Sequence, residues 1–272
     1  MTKTRVRFLV ALLAVSLASV AVVLHYRASV KGNLLALYDL SVCKQMPSPL
    51  APPVEERLVA HAGGAVRGLT YTNSREALDS HYAAGYRVFE LDFHWTSDGR
   101  LVVVHDWTEM STRFGVKPHV FSYGEFLSAR RLDGLHQLTF EDLRQWLLTH
   151  RDAFVVTDTK GSNFRFLHYL QTNAAGIRPQ LIVQIYRISE LQAARQLGPR
   201  AVWLSVYKAS YPCWALRRMP GVDAFVIPVE LYPRYRALVL TGRTHFYVHS
   251  VRAESVDATF RRLPGIYGIY VD

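Results

Sequence analysis

From Arg57 onward the chain alternates short β-rich runs with amphipathic stretches of helical period. The runs are Leu58–His61, Val88–Phe93, Phe154–Asp158, Leu181–Tyr186, Val202–Val206, Ala224–Ile227, Phe246–Ser250 and Ile266–Val271. Between them lie helical patterns such as Ser74–Ala84, Phe140–His150 and Ser255–Arg262. Ala77, Leu78 and Tyr82 fall on one helical face, and Gly85 supplies a stop. Thr139 with Asp142 three residues later reads as a capping box. Eight such alternations over residues 57–272 predict an α/β fold, a (β/α)8 TIM barrel at the small end of its range. A doubly wound open sheet fits less well, because no GxGxxG follows the first strand.

Composition narrows the class. Half the residues are apolar and 20% are charged, enough to bury a large core. Two cysteines exclude a disulfide-rich scaffold, and no CxxC or Cys/His cluster points to structural zinc. The formal charge is +10, of which residues 1–50 carry half: six Lys/Arg against one acid, Asp39. Of 32 basic residues 26 are Arg, suited to phosphate or carboxylate contacts. No Lys/Arg run forms a patch, so no nucleic-acid partner is expected.

At the amino terminus Lys3, Arg5 and Arg7 precede an uncharged apolar run, Phe8–Leu24. Seventeen residues at helical rise reach about 26 Å, close to a bilayer core of roughly 30 Å. Residues 1–25 therefore read as a transmembrane signal anchor or a signal peptide. The anchor is favoured, because the apolar stretch continues past the small-residue site Ser19-Val20-Ala21. The basic flank then places the rest outside the cytoplasm, tethered to the membrane, or secreted if the segment is cleaved. In a bacterium that compartment is periplasmic. Residues 26–56 read as a linker with a Pro-rich hinge at 47–53. Gly32–Met46 within it is expected to pack over the gap between the first and last strands. Residues 57–272 form the barrel domain. Cys43 and Cys213 would share an oxidising compartment, which leaves their pairing open.

Catalytic groups in such a barrel project from the carboxyl ends of strands. His61, Glu90, Asp92, Asp158 and Lys160 all sit there. Glu90 and Asp92 are two apart and share one strand face. Two carboxylates aimed together repel unless a cation lies between them, and a hard divalent ion, Ca2+ or Mg2+, fits oxygen donors. Ser97-Asp98-Gly99-Arg100 reads as a tight hairpin. Matching 97 with 100 pairs Asp92 with His105 and brings a second histidine beside the carboxylates. Two histidines beside a cation are what phosphodiester cleavage asks for, one taking a proton and one giving it.

The segments VAHAGG, TYTNSREAL, GYRVFELDFHWTSDGRLVVVHDW, VVTDTK and GIYGIYVD, in that order, resemble the motifs of glycerophosphodiester phosphodiesterases, which belong to the phospholipase-C-like phosphodiesterase barrels. The resemblance implies one divalent ion held by Glu90, Asp92 and Asp158. It implies His61 and His105 as the acid/base pair, with Lys160 near the metal or the phosphate. The substrate class it implies is a glycerophosphodiester or a lysophospholipid headgroup. Two departures stand out. Ala62 replaces the arginine that usually follows the first histidine and contacts phosphate, so Arg67 or Lys160 is expected to compensate. Asp158 replaces a glutamate, a variant similar to the sphingomyelinase-D-type toxins. That leaves two rivals: a sphingomyelinase-D-like or phospholipase-D-like enzyme forming a cyclic phosphate, and an impaired barrel that binds a phosphorylated ligand.

Among the remaining candidates, Asn73 reads as a helix N-cap. Trp107 and Tyr270 are expected in an apolar wall of the substrate pocket, or in the core. His249, near the end of the seventh strand, is the further histidine best placed to line the pocket, while His94, His119, His136 and His245 carry no motif. Residues 108–137 hold few secondary-structure signals. With Phe114, Phe121, Tyr123 and Phe126 they form either a lid touching lipid chains or a folded insertion with its own core.

Overall fold

The computed structural model describes residues 55–207, 211, 219, 221–240, 242 and 244–272. The expectations for residues 1–25, for Gly32–Met46 and for Cys43 with Cys213 lie outside the described residues. Eight parallel strands close on themselves: β1 (Leu58–Ala60), β2 (Val88–Trp95), β5 (Phe154–Thr159), β6 (Leu181–Ile185), β7 (Ala201–Ser205), β8 (Ala224–Pro228), β9 (His245–Val251) and β10 (Gly268–Val271). β1 pairs with both β2 and β10, which completes the ring. Each predicted strand is found, with ends shifted by one or two residues. The first is shorter than expected: His61 begins a 3-10 turn, His61–Gly63, directly after β1.

Helices cover the outside, among them α1 (Arg75–Ala83), α4 (Phe140–Thr149), α5 (Asn163–Asn173), α6 (Leu191–Gln196), α7 (Tyr232–Val239) and α8 (Val256–Arg262). The capping box at α4 forms as predicted. Asp142 N donates to Thr139 Oγ1 at 3.1 Å, and Thr139 N donates to Asp142 Oδ2 at 2.9 Å. Two cores follow from the strand period of two. Phe89, Leu91 and Phe93 face the helices and join Trp146 and Phe166. Val59, Val88, Val156, Ile182, Trp203, Val226, Tyr247 and Tyr270 fill the barrel interior, where Trp203 stacks on Tyr247 with ring centroids 4.2 Å apart. The interior is therefore solid, and burial of each large side chain there contributes roughly 1.5–3 kcal/mol.

The hairpin after β2 differs from the sequence reading. β3 (Leu101–Val103) pairs Trp95 with Leu101 and Phe93 with Val103, so Asp92 meets Val104 rather than His105. The loop is Ser97-Asp98-Gly99, three residues instead of two, with Gly99 at φ 79°. Thr96 sets this length: its hydroxyl donates to Asp98 Oδ1 at 2.6 Å and accepts from Arg100 N at 2.8 Å. β4 (Leu138–Thr139) extends the hairpin.

Residues 108–137 form a folded insertion, not a lid of exposed aromatics. α2 (Trp107–Phe114) and α3 (Tyr123–Ser128) enclose a separate core of Val102, Val104, Trp107, Met110, Phe114, Phe121 and Phe126. The aromatic side chains pack inward because the antiparallel hairpin gives them a second apolar face to cover.

Candidate active site

The strand parity that fills the barrel also builds the site. Two residues beyond interior Val88 and Val156 stand Glu90 and Asp158, and Asp92 follows Glu90 by two. Register pairs Asp92 with Asp158 across β2 and β5. Oxygen atoms of Glu90, Asp92 and Asp158 lie within 4.8 Å of one another, as the sequence reading requires. Glu90 and Asp92 are buried, at 2% and 1% exposure. Lys160 Nζ lies 2.8 Å from Asp92 Oδ1 and 2.7 Å from Asp158 Oδ2. Despite burial, these two carboxylates raise the lysine pKa above its usual range.

One ammonium against three carboxylates leaves a formal charge of −2 (1 − 3). Glu90 carries the mismatch. Burial first, then Asp92 and Asp158, push its carboxyl well above the ordinary carboxylate range. An all-oxygen donor set with that residual charge fits a hard divalent cation, which Glu90, Asp92 and Asp158 would hold.

Each carboxylate is aimed by a second residue. Ala62 N donates to Glu90 Oε2 at 2.9 Å. Asn73 Nδ2 donates to Asp92 Oδ2 at 2.7 Å, and Asp92 N donates to Asn73 Oδ1 at 3.1 Å. Tyr186 OH donates to Asp158. Asn73 is therefore not the N-cap; Ser74 is, accepting from Ala77 N. Ala62, Arg67, Tyr71 and Asn73 have φ between 46° and 55°, and all four lie in the β1–α1 loop. The left-handed region costs a non-glycine residue about 1 kcal/mol or more. The loop holds that strain where it turns Ala62 N and the Asn73 amide onto buried carboxylates.

The two histidines are both backed by carboxylates. His61 Nδ1 lies 2.5 Å from Asp272 Oδ1, and its Nε2 lies 3.7 Å from Glu90 Oε2. Against its own burial, the His61 bond holds the Asp272 carboxyl below its ordinary pKa. His105 Nδ1 lies 3.2 Å from Asp106 Oδ2 and 3.6 Å from Glu109 Oε2. The nearby Glu109 carboxylate, opposed by burial, raises the His105 pKa. In both rings Nδ1 is engaged, so Nε2 is the nitrogen left to act on a ligand. The Tyr71 ring stands between them, 4.8 Å from His61 and 5.2 Å from His105.

His61, Tyr71, Glu90, His105, Asp158 and Lys160 line one cavity of about 190 Å³ with Gln184, Tyr186, Ser205, Tyr207, His249 and Tyr270. His249 is pushed down to about 4 by burial and by His61, so its imidazole is neutral near pH 7. Lys160 lines the cavity as expected; the other two expected substrate contacts do not. Arg67 is exposed at the tip of a turn closed by Val66 and Leu69, with its guanidinium alongside Gly134. Trp107 is 6% exposed in the insertion core, its Nε1 donating to His94 Nδ1 at 2.9 Å. Arg67 is close to His61 in sequence only, because its backbone turn carries it outward. Asp272, Tyr71, Tyr186 and Asn73 were missed, although Asp272 follows interior Tyr270 by two residues and so shares its face.

Residues 61–174 match the model of the Glycerophosphoryl diester phosphodiesterase family, and the resemblance carried by the motifs is borne out. No curated protein matches this chain. Among solved structures, a glycerophosphoryl diester phosphodiesterase from Parabacteroides distasonis is 15% identical with a TM-score of 0.60, covering 87% of each chain. A glycerophosphodiester phosphodiesterase from Thermotoga maritima is 16% identical with a TM-score of 0.60, over 79% of this chain and 93% of the other. A phosphodiesterase from Oleispira antarctica, solved with the product sn-glycerol-3-phosphate, is 15% identical with a TM-score of 0.59, over 79% and 92%. At these identities the likeness establishes the fold.

Proposed function

We propose that this chain, a phosphoric diester hydrolase of the glycerophosphodiester phosphodiesterase type, uses His61 and His105 as a proton-transfer pair beside a divalent ion. The observation that carries the reading is the convergence of three strand-end carboxylates with two carboxylate-backed imidazoles around one cavity. The product-bound relative from Oleispira antarctica supports a glycerol phosphate as the group released.

In this mechanism Glu90, Asp92 and Asp158 would hold the cation, Ca2+ or Mg2+, which would neutralise charge on the phosphate oxygens. Asp272 holds the proton on His61 Nδ1 and thereby presents a basic Nε2 to the nucleophile, either water or a glycerol hydroxyl. Asp272 also stabilises the imidazolium that forms, as a carboxylate does in a hydrolase triad. His105, favoured as a cation by Glu109, donates a proton to the leaving alcohol. Lys160 bridges Asp92 and Asp158 at the cavity wall and offsets their mutual repulsion.

The test is hydrolysis of glycerophosphocholine and lysophosphatidylcholine with and without a chelator, followed by re-addition of Ca2+ or Mg2+. Loss and recovery of activity, and at least a hundredfold loss in His61→Ala and His105→Ala, are expected. Full activity after exhaustive chelation, or in His105→Ala, overturns the mechanism. Accumulation of a cyclic phosphate would assign the sphingomyelinase-D-like course, and binding without turnover the impaired barrel.

Among the described residues no helix is long and apolar enough to cross a membrane. The case for a membrane tether outside the cytoplasm rests on Phe8–Leu24 with its basic flank. Partition of the full chain, against release of residues 26–272, into the membrane fraction tests it.

A further inference from the structure

A second cavity, of about 400 Å³, opens beyond the C-terminal ends of β8 and β9, the barrel end that carries the catalytic pocket. Its wall runs from Val229 and Glu230, after β8, to Ser250 and Arg252 at the end of β9, and on to Thr259 and Arg262 of α8. Ser250 ties it to the catalytic machinery. It directly follows His249, which lines the catalytic pocket. The two cavities are thus neighbours across one residue.

The charge in this second cavity is unbalanced. Arg252 and Arg262 both line it against a single carboxylate, Glu230. Among the described residues neither arginine takes part in an ion pair, and both are exposed at the cavity. Two exposed arginines lining a cavity with Thr259 suit a phosphomonoester or carboxylate, which a guanidinium can engage with two N–H groups. Among the described residues no arginine lines the catalytic pocket, because Ala62 stands after His61 and Arg67 points elsewhere.

We infer that this cavity is a subsite for a second anionic group on the leaving alcohol, so that the preferred substrate is a glycerophosphodiester whose second alcohol carries a phosphate or carboxylate. The inference deepens the proposed function and rests on it for turnover, but binding tests it separately.

Two probes that differ by one phosphomonoester decide the matter: glycerophosphoglycerol and glycerophosphoglycerol 3′-phosphate. The wild-type chain is expected to favour the phosphorylated probe in kcat/KM. In an Arg252→Ala/Arg262→Ala variant that ratio should fall about tenfold, roughly threefold for each arginine removed, because both are exposed and solvent screens their charge. Glu230→Gln, which removes the opposing charge, should raise it. Binding of both probes to His105→Ala, measured by calorimetry, gives the same ratio without turnover. Failure of hydrolysis with the binding preference intact would count against the proposed function alone. Equal binding of the two probes, or an unchanged ratio in the double variant, overturns the subsite. Competition by inorganic phosphate with no preference between probes also overturns it, assigning the cavity to a free anion.

Discussion

Replacing Asp272 with Asn isolates the residue that aims His61. The Oδ1–Nδ1 separation of 2.5 Å marks a strong contact, and the two side chains are only 17% and 12% exposed, so solvent screens it little. Asn keeps the shape but removes the charge, and its amide can face Nδ1 with an N–H donor. The imidazole then keeps its lone pair on Nδ1 and its proton on Nε2, the wrong tautomer for accepting a proton from the nucleophile. Hydrogen bonds to charged groups contribute about 1.5–3 kcal/mol. If that is expressed in the transition state, at about 1.36 kcal/mol per decade, kcat/KM falls roughly 10- to 150-fold. The tautomer switch adds to this, so the range is a lower bound. The assay is hydrolysis of glycerophosphocholine at saturating divalent ion, with the melting temperature measured in parallel. Asp272 has a depressed pKa, so its contribution to stability is present above its unfolded pKa and lost as pH falls through the folded value. Asp272→Asn should therefore lower the melting temperature at pH 7 and converge with the wild type at low pH. Activity within twofold of the wild type at pH 7 would refute the role given to Asp272.

Three further outcomes follow from the same geometry. Glu109→Gln removes the charge that raises the His105 pKa, so the alkaline limb of the kcat/KM profile should move to lower pH; a limb that stays in place separates Glu109 from the general acid. Asn73→Ala deprives buried Asp92 of its amide partner and should weaken divalent-ion binding about 10- to 100-fold, read by titrating activity against ion concentration. Gly268→Ala would place a Cβ 2.4 Å from the Tyr247 ring and 2.6 Å from the Arg57 carbonyl. A loss of about 1–3 kcal/mol or more in denaturant unfolding is expected, and no loss would contradict the tight β9–β10 packing.

The barrel was legible because each strand is a compact apolar run bounded by a helical pattern, a signal confined to a dozen neighbouring residues. Glu90, Asp92 and Asp158 were legible for the related reason that parity along a strand is local. The hairpin failed by one residue, since loop length depended on the Thr96 hydroxyl, a contact that turn propensity does not register. Two places stood open for Trp107 because an aromatic near His105 can turn toward the pocket or into a neighbouring core. The insertion supplied that core, from residues as far away as Phe126. Asp272 meets His61 across 211 positions, which no local pattern encodes. Parity still carried a trace of it. Gln184, Ser205, His249 and Asp272 each lie two residues after an interior core residue, Ile182, Trp203, Tyr247 and Tyr270. Once one ring of inward residues is known, the next ring, which lines the site, follows by adding two.

That same layering explains how the site tolerates Ala62. At φ 48° and ψ 36° the residue contributes its backbone N–H, the group that reaches Glu90, whatever its side chain. The position therefore keeps its bond to the buried Glu90 carboxylate when the side chain changes. What changes is where positive charge for the substrate comes from. Lys160 is already engaged by Asp92 and Asp158. Any anionic group beyond the scissile phosphate must then find its counter-charge outside the pocket, and among the described residues the arginines beyond Ser250 are a pair on that wall that no ion pair neutralises. Restoring arginine at position 62 should therefore do two things at once. Turnover of substrates with neutral or cationic headgroups should rise, because the scissile phosphate gains a direct partner, and the relative advantage of a phosphorylated leaving alcohol should shrink. Parallel kinetics of Ala62→Arg on glycerophosphocholine and glycerophosphoglycerol 3′-phosphate check this. An equal gain on both substrates would mean that the two cavities do not share the work of holding charge.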